Sequence, residues 1–171
     1  MRLLLPVVFL ALLAVPAAAA APEVAIVDHD VPAELAPVLG KVKAGTDVPV
    51  LLPDVLPYED VELFPEGSGR RKAWRMNLGS INGCHNATVC FVASFSARRG
   101  AKPSGATKVT LRGERTGWFT PLRCGASCSP PTIAWRQHRS AYAIQARVGT
   151  KKSERRILVR MANQAIRAGR R

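Results

Sequence analysis

Four cysteines carry the most chemistry within reach of this 171-residue chain, and they fall as two close pairs, Cys84 with Cys90 and Cys124 with Cys128. Pairs like these serve three chemistries: a structural disulfide, thiol–disulfide exchange, or a zinc site. Exchange enzymes place Cys-x-x-Cys at a helix start, where the helix dipole lowers a thiol pKa. Here five and three residues intervene, and Cys128 runs into Ser129, Pro130, Pro131 and a strand-like stretch ending at Trp135. Cys84, His85 and Cys90 have the wrong spacing for common zinc ribbons and knuckles. Structural disulfides are therefore expected, each closing its own short loop and worth about 2 kcal/mol in a chain-entropy account. Crossed pairings stay open, because four cysteines allow three connectivities.

The remaining reactive side chains give no enzyme signature. His29, His85 and His138 fall in stretches that read as arms or loops, and none belongs to a zinc-protease helix motif. Asp28-His29-Asp30 resembles a ligand cluster, yet three contiguous residues on an arm cannot all turn inward without a supporting shell. Ser127 is not in a Gly-x-Ser-x-Gly elbow. No P-loop or dinucleotide-binding glycine pattern is present. Paired carboxylates for glycoside chemistry would have to come from the acidic segment. The sequence thus assigns no catalytic residue, no metal and no cofactor. A hydrolase or thiol-redox enzyme built around His138 or Cys124 stays as an alternative, since triads assemble in space rather than in sequence. Asn86-Ala87-Thr88 matches the N-glycosylation acceptor pattern.

Charge is the stronger signal. The formal net charge is +13, and it is unevenly spread. Residues 22–66 hold ten acidic residues against two lysines, whereas residues 67–171 hold 22 Lys and Arg against Glu114 and Glu154. Such a field attracts anionic polymers or an anionic membrane surface. The candidate anion-binding residues are Lys151, Lys152, Arg155, Arg156, Arg160, Arg170 and Arg171, on or beside a C-terminal helix. Trp74, Trp118 and Trp135 have arginines such as Arg75 and Arg136 close by in sequence, as single-strand nucleic-acid binders do. Trp74 falls with Phe91, Phe95 and Tyr142 on the apolar faces of strands, so packing is the expected role. Export also disfavours nucleic acid as a partner. The oligomeric state is left open.

The elements that must position these residues follow from periodicity. Residues 1–20 read as a signal peptide: Arg2, an apolar run from Leu3 to Val15, then Pro16 and small residues. Residues 21–30 read as a flexible arm and residues 31–171 as one disulfide-containing domain. Pro32 opens a helix whose Leu35, Val38, Leu39 and Val42 share one stripe. Val48 to Pro57 is apolar but carries three prolines, so it reads as an extended strap or edge strand. Period-two alternation marks strands at 73–81, 89–96, 108–112, 116–122, 132–135 and 141–148, joined as hairpins. Ser153 reads as the cap of a final helix with the apolar stripe Ile157, Leu158, Met161, Ala162, Ala165 and Ile166. The expected fold is α+β: a mainly antiparallel sheet of about six strands packed on the C-terminal helix, with a short N-terminal helix.

Several strings together carry a resemblance: Pro49-Val-Leu-Leu-Pro53, Cys90-Phe-Val-Ala-Ser-Phe-Ser96, Gly117-Trp-Phe-Thr-Pro-Leu-Arg-Cys-Gly-Ala-Ser-Cys-Ser-Pro-Pro131, Tyr142-Ala-Ile-Gln-Ala-Arg-Val148 and Met161-Ala-Asn-Gln-Ala-Ile-Arg-Ala-Gly169. The chain resembles a family of uncharacterised exported bacterial proteins that carry this cysteine–proline motif. The resemblance implies a bacterial setting, periplasmic or secreted, and carries over no activity. The expected function is a non-enzymatic binding or envelope-associated protein with a basic anion-binding surface. An apolar-ligand (lipid) carrier is the second expectation.

Overall fold

Alternating apolar and polar side chains, broken by Gly, Pro and Asn at the turns, set the order of elements. A computed structural model describes residues 24–85 and 87–171. The signal segment 1–20 and Asn86 of the acceptor motif lie outside the described residues. Strand β1 (Ile26–Asp30) leads directly into helix α1 (Val31–Ala44), and the strap ends in β2 (Val55–Glu59). There follow β3 (Phe64–Arg70), β4 (Ala73–Gly79), β5 (Phe91–Arg99), β6 (Thr107–Leu111) and β7 (Arg115–Thr120). A two-residue ribbon, β8 (Arg123–Cys124) with β9 (Cys128–Ser129), precedes β10 (Thr132–Gln137), β11 (Ser140–Ala146) and helix α2 (Glu154–Ala168).

The fold is α+β as expected, but the main sheet has seven strands, all antiparallel, in the order β3-β4-β5-β11-β10-β7-β6. The extra strand is β3, which no alternation announced: Gly67–Arg70 continue the ladder opposite Ala73–Met76. Strand β5 begins at Phe91 rather than Val89, which is 80% exposed. The flexible arm is also corrected from residue 26 onward. Ile26–Asp30 pair with Val55–Glu59, so the end of the strap gives this stretch backbone partners.

One face of the sheet holds the core. Trp74, Met76 and Leu78 of β4 lie beside Phe95 and Ala97 of β5, then Tyr142 and Ile144 of β11, Ile133 and Trp135 of β10, and Phe119 of β7, all buried. Helix α1 covers β3 and β4 with Leu35 and Val42, and α2 covers β6, β10 and β11 with Leu158, Met161, Ala162 and Ala165. The strap fills the space between through Val48, Val50, Leu51, Leu52 and Leu56. Its Pro49 carbonyl accepts from Trp74 Nε1 at 3.2 Å and from the Tyr142 hydroxyl at 3.1 Å. A proline-rich segment can therefore run through a core: it lacks ladder donors, and its carbonyl satisfies two buried aromatic donors instead.

Helix starts differ from the expected pattern in an instructive way. Asp30 caps α1, its Oδ1 accepting from Ala33 N at 3.0 Å, with Pro32 in the first turn. Ser153 makes no side-chain cap to α2; its Oγ accepts from Thr150 N at 2.8 Å and closes the preceding turn. Glu154, 4% exposed, reaches the other way, and its Oε1 accepts from Leu122 N at 3.2 Å. Both disulfides form within their own loops, Cys84–Cys90 and Cys124–Cys128.

Candidate anion-binding face

Neither helix covers the second face of the sheet, which carries mostly small and cationic side chains, with Asn77, Gln145 and Trp118 among them and one acid, Glu66, opposite Asn77 and paired with His85. Residues directly opposite in adjacent antiparallel strands share a face. One row therefore runs Ser68, Arg75, Ser96, Ala143, Ala134, Trp118, Lys108 across all seven strands. A second runs Asn77, Ser94, Gln145, Thr132, Thr120. A third runs Arg70, Ala73, Arg98, Ala141, Arg136. Serine, alanine and threonine make a low floor, and arginines stand above it.

Two adjoining clefts lie on this face. One, of about 410 Å³, is bounded by Arg75, Ser94, Gln145 and the disulfide ribbon at Ser127–Pro130. The other, of about 560 Å³, is bounded by Arg70, Arg75, Arg98 and the loop at Lys102–Ser104. Arg75, Ser96, Thr132 and Ala143 belong to both, so the clefts join into one trough. No Asp or Glu lines either cleft. Among the described residues, Arg70, Arg75, Arg98, Lys102 and Arg136 take part in no ion pair. Their charge faces solvent without an internal counter-ion.

The residues that sequence singled out around α2 lie elsewhere and do not form one site. Arg156 and Arg160 share a groove of about 590 Å³ with Arg112 and Arg167. Lys151 lines a different cleft, with Ile26, Tyr58 and Ile157. Lys152, Arg155 and Arg170 are exposed outside both. Arg171 pairs with Asp54, as does Arg167 at 2.7 Å, and the Arg171 amide donates to the Val50 carbonyl. These two guanidinium groups fasten the end of α2 to the strap. Burial pushes the Asp54 carboxyl up, but the hydrogen bonds and charges of Arg167 and Arg171 outweigh that and hold it below the usual range.

The histidines are placed for structure. His29 Nδ1 lies 3.1 Å from Glu34 Oε1 and Nε2 lies 2.9 Å from the Glu59 carbonyl, so neither ring nitrogen is left for a nucleophile. Exposed His85 pairs with Glu66, and His138 sits in the β10–β11 turn beside Gln137. All four Cys sulfurs are bonded to one another in pairs. Among the described residues, no three His, Cys, Asp or Glu side chains come together as a metal-binding group. Trp135 stacks on Tyr142 at 5.5 Å, and Trp74 meets Tyr142 edge-on at 6.4 Å. These three rings are core; of the tryptophans, only Trp118 belongs to the open face.

Sequence reasoning did not single out Arg98, because the strand expected at 89–96 runs on to Arg99. The signal was the alternation itself: Arg75 stands between Trp74 and Met76, on the side that those two leave. No protein-family model, curated protein or solved structure matches the chain. Two disulfides fit an oxidising compartment outside the cytoplasm. No helix among the described residues is long and apolar enough to cross a membrane.

Proposed function

We propose that this is an exported, non-enzymatic binding protein of the bacterial envelope that holds an anionic polymer against the uncovered face of its sheet. The observation that carries the reading is a continuous trough bordered by Arg70, Arg75 and Arg98 and lined by no carboxylate. Unpaired guanidinium groups above a floor of small side chains give a polyanion room to lie close and donors to meet it. The basic outer face of α2 adds long-range attraction.

The test is retention on an immobilised sulfated or carboxylated polymer over a salt series. Binding is expected at low salt and should fall as salt screens the contacts. Replacing Arg75 and Arg98 together by Glu should release the protein, while Arg155→Glu with Arg156→Glu should leave most of the binding. No retention at low salt, or retention indifferent to salt, defeats the reading.

A second reading has its own observation. A cleft of about 710 Å³ between β2, Pro130–Pro131 and the first turn of α2 is lined mainly by apolar groups such as Ile26, Tyr58, Leu122, Val148 and Ile157. It suits an apolar ligand. Native mass spectrometry of the purified protein should then show a bound apolar molecule; an unliganded mass after gentle purification counts against a carrier.

A further inference from the structure

We infer that the polymer is an acidic glycan carrying a carboxylate on every second sugar ring, laid across the strands along the row Arg70, Ala73, Arg98, Ala141, Arg136. The inference rests on the anion-binding reading above and narrows it. The five residues come from β3, β4, β5, β11 and β10 in that spatial order, each directly opposite the next. Neighbouring strands lie about 4.8 Å apart, so successive arginines in the row repeat at roughly 10 Å. Arg70, Arg98 and Arg136 are exposed, and Ala73 and Ala141 are half-buried between them.

The row therefore alternates a planar two-pronged donor with a bare methyl group. A carboxylate matches the guanidinium fork in shape as well as charge. Two linked pyranose rings span about the same distance as two strands, so one acidic ring meets each arginine and one neutral ring lies over each alanine. The low floor beside the row, Ser96 and Ala143, lets the rings approach flat. A polymer with an acid on every ring would set half of its carboxylates over Ala73 and Ala141, positions that carry no cation within the row, Arg75 and Lys102 lying to its side. Polyphosphate and single-stranded nucleic acid carry a phosphate on every unit and mismatch the row in the same way. The guanidinium reach adjusts each contact, but not the number of cations per ring.

The experiment measures affinity of the folded, disulfide-bonded chain for three probes of equal total charge. They are an oligosaccharide with uronate on alternate rings (hyaluronan), one with uronate on every ring (oligogalacturonate) and inorganic polyphosphate. The alternating glycan should bind tightest, and Arg98→Gln should weaken it about tenfold, the usual scale for losing a hydrogen bond to a charged group. Ala141→Arg, which fills a gap in the row, should shift preference toward the every-ring glycan, and Arg155→Gln on α2 should change neither. Equal affinity for the two glycans, with Ala141→Arg moving nothing, overturns the spacing and leaves the anion-binding reading intact. Preference for polyphosphate overturns the glycan class alone. Failure of the unaltered chain to bind any of the three removes both.

Discussion

A single carbonyl, that of Pro49, receives two aromatic donors, and the consequences are measurable at the level of individual groups. Burial pushes the Tyr142 hydroxyl up to about 12, with Arg99 pulling the other way, and burial also raises Tyr58. A phenol is neutral when it donates, so the stability it gives is fully present below its unfolded pKa of about 10. That stability is lost as pH climbs from there toward the raised value, and the shift corresponds to something on the order of 2–3 kcal/mol. Titrating phenolate absorbance at pH 10 should find well under half of the two tyrosines ionised in the native protein; normal ionisation at that pH would refute the assigned burial. Asp54 works at the opposite end of the scale. Its lowered pKa means that the clamp to Arg167 and Arg171 is complete above about pH 4 and fades as pH falls through the lowered value. Asp54→Asn should destabilise the protein at neutral pH by about 1 kcal/mol or less, because the pairs are partly exposed. It should also flatten the acid limb of a urea-midpoint profile.

Among the elements, the end of α1 and strand β3 meet backbone to backbone. A Cβ on Gly69 would lie 2.2 Å from the Val42 carbonyl oxygen, and one on Gly45 would lie 2.7 Å from the Gly69 carbonyl oxygen. Backbone meets backbone there, so nothing flexible is available to give way. Gly69→Ala should cost about 1–3 kcal/mol by overpacking, read as a fall in thermal midpoint; an unchanged midpoint would mean that α1 moves freely on the sheet. This contact also marks the limit of what the chain discloses by itself. Strands β4, β5, β7 and β11 were legible because Trp74 to Leu78 and Tyr142 to Ala146 alternate over several residues. Strand β3 was not: Pro65, Gly67 and Gly69 carry turn chemistry, and only α1 pressing on β3 explains them. Strand β1 was hidden for a related reason, since its partner is the strap and no local pattern announces a pairing with residues about thirty positions away. Ser153 misled because a serine before a helix can close the preceding turn as well as cap the helix.

Over the whole molecule, the counting of charge located the excess but not its arrangement. A run of arginines along α2 is visible in sequence, yet Arg167 and Arg171 are tied to Asp54, Arg156 and Arg160 share one groove, and Arg155 and Arg170 are exposed outside it. The open-face arginines sit one to a strand, and they line up only once the hairpins register. Acidic Asp28, Asp30, Glu34 and Asp54 belong to the strap, α1 and β1, away from the trough. The placing of the three indoles has one more outcome. Trp74 and Trp135 are sealed in the core, at 3% and 1% exposure, while Trp118 is part-exposed beside Ala134 on the uncovered side. The protein thus contains its own optical gauge. Iodide, drawn to the same guanidinium groups, should quench one emitter out of three. If iodide quenches all three alike, the interior is not closed.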